Sequence, residues 1–220
     1  MLAKNILNSL ILPLEIHQTG YDALNRMDDY HIGQLPVISN GEYFNLIRED
    51  EIFEYNLPDT PLKEFTFSSR IPPALSNQHL LEVLEIMAEY NLEIIAVVNE
   101  KNMYQGCISL YDILKALYHL DMIQNPGGIL VLELNLHDYS LTQIAQILEA
   151  NDAKVLGLYT ISPPDSTKVE VTLKINLLDL SPIIATFNRY DYIIKASFGQ
   201  SDWDDLLRDR YDSLMNFLNI

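Results

Sequence analysis

The residues best suited to chemistry are Gly106, Ser109 and Asp112, which lie within one seven-residue run. The apolar residues before Ser109 predict a strand, and the residues after it predict a helix. The first turn of a helix has free backbone N–H groups that favour an anion, and there Ser109 can donate to a phosphate. Asp112 lies one turn on, where a carboxylate can accept both hydroxyls of a ribose. Without a ligand, the same residues serve as the helix N-cap and first-turn acid, so both interpretations stay open.

This run belongs to the second copy of an internal repeat. At a spacing of 60 residues, Met27 aligns with Met87 and the run 35–38 aligns with 95–98. With one extra residue in the intervening turn, Asn45 aligns with Gly106. An internal repeat constrains the architecture more strongly than any local pattern. Two copies indicate a pseudo-symmetric pair, and the groove between them is a natural ligand site.

Each copy predicts the order helix, strand, turn, strand, helix. In the second copy, apolar residues recur at helical spacing over 80–88, and Ser76 and Asn77 are the predicted caps. The runs 94–98 and 104–108 are short and largely apolar, which predicts two strands.

On these motifs, residues 1–121 resemble a pair of CBS domains, also called a Bateman module. The run 106–112 has the family's order of glycine, two apolar residues, Ser or Thr, two variable residues and Asp. The run 35–38, Leu-Pro-Val-Ile after a Met-containing helix, is a second family feature. The resemblance implies that Ser109 and Asp112 contact the phosphate and ribose of an adenine nucleotide. By alignment, it also places the adenine among five apolar residues: Ile95, Ala96, Pro73, Ala74 and Leu75.

The first copy departs from this pattern. Asn45, Arg48 and Glu51 replace the glycine, the Ser/Thr and the Asp. A guanidinium has only donors, so Arg48 cannot accept the N–H bonds of a helix N-terminus. We therefore expect the first half-site (Asn45, Arg48 and Glu51) to be degenerate and the second half-site (Gly106, Ser109 and Asp112) to bind the ligand. Arg48 either reaches across the cleft toward a phosphate at the second half-site or is solvated among acidic neighbours.

Composition narrows the functional classes. The 220 residues include 31 acidic and 14 basic residues, for a formal net charge of −17. This charge argues against binding to nucleic acid or to an anionic membrane surface. The sequence has no H-E-x-x-H pair, P-loop or Gly-x-Ser-x-Gly elbow. We therefore predict no enzyme activity, no catalytic or metal-binding residues and no required cofactor. The absence of a signal peptide or a membrane-spanning apolar run predicts a cytoplasmic protein.

The pattern changes after a linker at 122–128 that contains Pro126 and two glycines. Residues 129–199 predict the order βαββαβ of a ferredoxin-like domain, and this order resembles an ACT domain. The turn 136–141 has no glycine, and Tyr139 would fill the space of an amino-acid effector. The expected role of this domain is therefore packing or dimerisation through its sheet.

The predicted fold class is α+β: a CBS-domain pair followed by a C-terminal ferredoxin-like, ACT-like domain, similar to acetoin-utilisation-type CBS proteins. The predicted boundaries are 1–60 and 61–121 for the repeats, 122–128 for the linker, 129–199 for the ACT-like domain and 200–220 for a C-terminal amphipathic helix.

The predicted function is that of a regulatory module that senses an adenosine-containing metabolite and passes the signal through oligomer geometry. AMP, ADP, ATP and S-adenosylmethionine are the candidate effectors. The alternative is a ligand-free scaffold that builds an oligomer or contacts another protein. We expect a homodimer formed through the flanking helices, with four apolar contact residues: Ile52, Phe53, Leu114 and Leu117.

Overall fold

The computed structural model describes residues 1–55, 58–164 and 166–199. The chain divides into two compact units, residues 1–117 and residues 118–220. The predicted amphipathic helix at 200–220 lies outside the described residues. Within the described part of the chain, no helix is both long and apolar enough to span a bilayer.

The first repeat contains a three-stranded sheet flanked by two helices. In the order β1-β2-β3, β1 is parallel to β2 and β2 is antiparallel to β3. Its first helix begins after Thr19, whose hydroxyl accepts from the Asp22 amide while the Asp22 carboxylate accepts from the Thr19 amide. Its elements are β1 (Leu14–Glu15), α1 (Gly20–Tyr30), β2 (Gln34–Ser39), β3 (Glu42–Arg48) and α2 (Glu49–Tyr55).

The second repeat has the same topology, with a sheet ordered β4-β5-β6. Leu14 pairs with Val37 and Ala74 pairs with Val97, so the parallel pairs β1–β2 and β4–β5 have the same register at an offset of 60 residues. Met27 and Met87 are both buried at equivalent positions of their helices. The elements are β4 (Ala74–Leu75), α3 (Leu80–Glu89), β5 (Ile94–Val98), β6 (Tyr104–Ser109) and α4 (Leu110–Tyr118).

The cap of α3 differs from the prediction. The N-cap is His79 rather than Ser76 or Asn77. The His79 ring nitrogen Nδ1 accepts from the Leu81 amide at 3.3 Å, and the Glu82 carboxylate accepts from the His79 amide at 2.7 Å. The bond with Glu82 fixes the helix start at His79, three residues after Ser76 and two after Asn77.

The segment that precedes each repeat packs on the other repeat. The amides of Ala3 and Lys4 donate to the carbonyls of Gln78 and Ser76 in the second repeat. In the same way, the amide of Leu62 donates to the Gln18 carbonyl in the first repeat. This exchange brings the start of the chain alongside the second half-site.

One of the predicted contact residues belongs to the core. Ile52 is 1% exposed and packs with the core of the first repeat, where Gly20 leaves room for its side chain. Phe53 and Leu114 are 63% and 64% exposed, and Leu117 is partly buried against the core of the second repeat. Of the four predicted contact residues, Phe53 and Leu114 are therefore the two that expose most of their side chains for a dimer contact.

The second unit has a short helix followed by the predicted order βαββαβ, and its sheet is antiparallel with the order β10-β7-β9-β8. Burial alternates along β7, so that Leu130 and Leu132 point into the core. Tyr139 packs against the same core. The elements are α5 (Asp121–Gln124), β7 (Gly128–Asn135), α6 (Leu141–Glu149), β8 (Val155–Ile161), β9 (Lys168–Ile175), α7 (Ser181–Arg189) and β10 (Ile193–Phe198).

Candidate functional site

Ser109 and Asp112 meet at the junction of β6 and α4. The Ser109 hydroxyl donates to Asp112 Oδ2 at 2.5 Å, and the Ser109 amide donates to the same oxygen at 3.0 Å. In return, the Asp112 amide donates to the Ser109 hydroxyl at 3.2 Å. The two residues therefore form a reciprocal cap at the start of α4.

Asn8 adds a third bond to the same carboxylate oxygen. Its side-chain amide donates to Asp112 Oδ2 at 3.0 Å across 104 residues of chain. Within the described residues, no hydrogen bond reaches Asp112 Oδ1. Burial by itself would raise the pKa of Asp112, but the bonds from Ser109 and Asn8 and the charge of Lys115 outweigh it and lower the pKa. Asp112 is therefore an ionised acceptor at neutral pH.

The N-terminal segment, residues 6–12, passes beside β6 at Gly106. Its φ is +148°, and a Cβ at this position would lie 3.4 Å from Leu7 Cδ2 and 3.5 Å from the Asn8 carbonyl oxygen. The Asn8 amide donates to the Cys107 carbonyl at 2.8 Å. The glycine of the motif thus adjoins protein backbone in this structure, and the N-terminal segment lines the second half-site.

The first half-site is closed by residues 68–71, which precede β4. The Asn45 side chain donates to the Ser69 carbonyl and accepts from the Ile71 amide, both at 3.0 Å. Glu51 accepts from the backbone amide of Arg48 at 3.1 Å and from both the amide and the hydroxyl of Ser68. The side chains of Asn45 and Glu51, two of the three residues of this half-site, are therefore engaged by the chain itself.

Arg48 takes neither of its two predicted positions. Its guanidinium donates to the Tyr90 carbonyl at 2.6 Å, at the C-terminal end of α3. The side chain does reach the other repeat, but it ends on a helix carbonyl rather than at the second half-site. A cation is favourable there because the C-terminus of a helix carries partial negative charge.

The five predicted adenine contacts lie in or beside the neighbouring strands β4 and β5, whereas Ser109 lies at the end of β6. Ile95 and Ala96 are fully buried, the former in the core of the second repeat. The segment 73–75 (Pro73, Ala74 and Leu75) lies in or next to β4, on the far side of β5 from β6. Two strand spacings, about 10 Å, therefore separate it from the strand that carries Ser109.

Instead, the structure places residues 6–12 beside Ser109, and sequence reasoning missed them. Asn8 lies 60 residues before Ser68, and each bonds to the acidic residue of the half-site it adjoins. The 60-residue spacing between Asn8 and Ser68 was the sequence signal that could have identified Asn8 as part of the second half-site.

Two cavities elsewhere in the molecule are less favourable for an anionic ligand than the second half-site. A cavity of about 340 Å³ in the first unit is lined by Asp28, Glu49 and Glu93, whose negative charges repel phosphate. A cavity of about 240 Å³ in the second unit contains Lys168, which pairs with Glu133.

Cys107 is not a nucleophile in this structure. Burial raises the pKa of its thiol to about 11, so the thiol is neutral.

Comparison with known proteins gives a match for part of the chain. The CBS domain family model matches residues 62–119. A CBS domain pair/ACT domain protein from Thermotoga maritima is 19% identical, with a TM-score of 0.48 over 53% of this chain and 96% of that chain. The CBS domains of a transcriptional regulator from Streptococcus pneumoniae are 15% identical, with a TM-score of 0.47 over 52% of this chain and 98% of that chain.

A CBS domain protein of unknown function from Thermoplasma acidophilum is 25% identical, with a TM-score of 0.45 over 52% of this chain and 68% of that chain. No curated protein matches the sequence. The family match spans all the strands and helices of the second repeat and includes both Ser109 and Asp112. Residues 62–119 of this chain are therefore a CBS domain.

Proposed function

We propose that this chain is a regulatory module that binds an adenosine-containing metabolite at the second half-site. CBS domain pairs generally act as regulatory, ligand-sensing modules, and the matched domain contains the half-site. The observation that carries the proposal is the state of Asp112, a half-buried, ionised carboxylate with a free oxygen at a strand–helix junction. A carboxylate in this state can accept the two hydroxyls of a ribose.

The phosphate would lie at the N-terminus of α4, a helix of nine residues. The N-terminus of a helix carries partial positive charge, which favours an anion. Ser109 would turn its hydroxyl from Asp112 to the phosphate. The formal charge of −17 opposes a highly charged ligand. We therefore expect adenosine, AMP or S-adenosylmethionine to bind more tightly than ATP.

The matched pair Asp112→Ala and Glu51→Ala tests which half-site binds. A thermal-shift panel of AMP, ADP, ATP, S-adenosylmethionine and adenosine first selects the best ligand. At about 100 times its Kd, a ligand adds roughly 2.7 kcal/mol to the free energy of unfolding. In calorimetry, Asp112→Ala should then cost about 1–3 kcal/mol of binding free energy, as for a lost bond to a charged group. Glu51→Ala should cost almost none.

Equal losses in the two variants, or a loss in Glu51→Ala alone, would contradict the choice of half-site. If the unmodified protein binds no compound of the panel, the proposed ligand class is wrong.

In this proposal the second unit is a ferredoxin-like, ACT-like domain that supports a homodimer. Its βαββαβ order and its antiparallel sheet order support this assignment. Tyr139 packs on the core from the turn after β7, which leaves a packing role for that turn rather than an amino-acid site. The ligand signal would then pass through the geometry of the oligomer.

A ligand-free scaffold is the second candidate. One observation favours it: α4 exposes Tyr111, Leu114 and Tyr118, each more than half exposed. Apolar side chains grouped on one helix are typical of a protein-contact surface. A dimer that dissociates on Leu114→Asp, in a protein that binds no adenosine compound, would favour this scaffold over the sensor.

A further inference from the structure

Tyr104 carries a buried hydroxyl without a hydrogen-bond partner among the described residues. Burial raises the pKa of this phenol strongly, and the neighbouring Cys107 side chain raises it further, so the phenol stays protonated and is a donor. Buried hydroxyls are normally paired, because an unpaired one loses its bonds to water without replacement. The position of Tyr104 therefore needs an explanation.

The first repeat contains a matched residue whose hydroxyl is paired. Tyr43 lies 61 residues earlier, and its hydroxyl donates to the Ile71 carbonyl at 2.9 Å. The backbones of the two tyrosines are equivalent, because the Tyr43 amide donates to the Asn102 carbonyl and the Tyr104 amide to the Gly41 carbonyl. The two sites thus differ in the acceptor and not in the placement of the residue.

Tyr104 lies on the face of β6 that leads to the second half-site. A bulge in the β5–β6 pairing sets Tyr104 opposite Val98, while Cys107 lies opposite Ala96 and Ser109 opposite Ile94. Residues 94, 96 and 98 share one face of β5, so their three partners share it too.

Residues 8–12 lie over this face. The Cys107 thiol donates to the carbonyls of Asn8 at 3.6 Å and Ile11 at 3.7 Å. The carbonyl of Ile11 is the counterpart of the Ile71 carbonyl at the 60-residue offset, and here it contacts the thiol and not Tyr104.

Ile11 is the apolar side chain of residues 8–12 that packs on the cores of the two repeats. Leu10 and Leu12 are 80% and 57% exposed, so their side chains bury little apolar surface. The hydrogen bonds to the repeats are the Asn8–Asp112 bond, the Asn8 amide to the Cys107 carbonyl, the two contacts of the Cys107 thiol, and a bond of 3.3 Å from the Leu12 amide to the Tyr30 hydroxyl. Segments with few buried apolar contacts open locally at low cost.

We infer that residues 8–12 form a displaceable cover over the second half-site, and that the ligand which displaces them accepts a hydrogen bond from Tyr104. This inference rests on the proposed function and adds a contact and a competitor to that site. Asn8 bonds to Oδ2, one of the two Asp112 oxygens that the two hydroxyls of a ribose would use. Tyr104 packs in a cluster with Tyr43, Ala96 and Val98. A planar, mainly apolar group with one acceptor atom, such as a purine ring, suits these surroundings.

The matched pair Tyr104→Phe and Tyr43→Phe tests the hydroxyl. Without ligand, Tyr104→Phe should leave the Tm unchanged or raise it by about 2 °C, whereas Tyr43→Phe should lower it by about 2–4 °C. With the best ligand of the adenosine panel, Tyr104→Phe should weaken the Kd about threefold to tenfold, and Tyr43→Phe should leave it within about twofold.

A fall in Tm for Tyr104→Phe equal to that for Tyr43→Phe would overturn the inference, because the hydroxyl would then be paired in the free protein. An unchanged Kd in Tyr104→Phe would overturn the contact and leave the proposed function intact. No binding of any panel compound to the unmodified protein would instead refute the proposed function, and this inference with it.

Asn8→Ala tests the cover. Loss of the amide frees Asp112 and loosens residues 8–12, so the Kd for the same ligand should become about threefold to tenfold tighter. An unchanged or weaker Kd would show that these residues do not compete with the ligand.

Discussion

The bond between Asn8 and Asp112 ties the start of the chain to the second half-site, and a double-mutant cycle should detect it. Asn8→Ala removes the donor at 3.0 Å, and Asp112→Ala removes the acceptor. Asp112→Ala also removes the two bonds from Ser109, whereas Asn8→Ala also removes the bond that the Leu10 amide donates to its side chain.

The expected magnitudes follow from these contacts. Loss of the cap at Ser109 costs about 1 kcal/mol of unfolding free energy, and the charge-assisted bond from Asn8 adds roughly 1–1.5 kcal/mol. Asp112→Ala should therefore cost about 2–2.5 kcal/mol, and Asn8→Ala about 1–2 kcal/mol. The double variant should cost less than the sum by a coupling energy of about 1 kcal/mol.

Urea unfolding followed by circular dichroism measures these energies. Asp22→Ala is the matched control, since Asp22 caps α1 through Thr19 in the same way and has no bond to Asn8. Asn8→Ala and Asp22→Ala should be additive within about 0.3–0.5 kcal/mol. A coupling of less than about 0.3 kcal/mol between Asn8 and Asp112 would refute the tie and the geometry on which the cover depends.

Three further predictions concern other parts of the molecule. Because the folded-state pKa of Asp112 is lowered, its stabilisation is present above about pH 4 and is lost as the pH falls through that pKa. The difference in unfolding free energy between the wild type and Asp112→Asn should therefore shrink from pH 6 to pH 3 in urea titrations, and a constant difference would contradict this. Gly127→Ala would put a Cβ 1.9 Å from the Ile175 carbonyl oxygen, so it should cost about 3 kcal/mol or more in the same assay; a cost under about 1 kcal/mol would be inconsistent with that contact. Light scattering at micromolar concentration should give about twice the chain mass of 25.2 kDa, and Leu114→Asp should reduce it toward the monomer; a monomeric wild type would rule out the proposed homodimer.

The order of the elements followed from the sequence because it depends on local patterns. Apolar spacing predicted α3, β5 and β6, and the 60-residue offset predicted that Met27 and Met87 occupy equivalent buried positions. Such patterns report which face of an element is buried.

The sequence also predicted that Ser109 and Asp112 lie close together, because residues three apart at the start of a helix are neighbours. Their reciprocal bonds are the local part of the site.

Only the tertiary structure decided what surrounds that pair. Each repeat receives the segment that precedes the other, which sets Asn8 against Asp112 and leaves the segment 73–75 at the far edge of its sheet. Packing between distant parts of the chain also determines the hydrogen bond of Arg48 to Tyr90. It likewise determines the surroundings of the Tyr104 hydroxyl. These relations join residues far apart in the chain through packing, and no local periodicity encodes them. The sequence by itself therefore determined the repeats and the capped carboxylate, and the packing of the repeats determined what covers it.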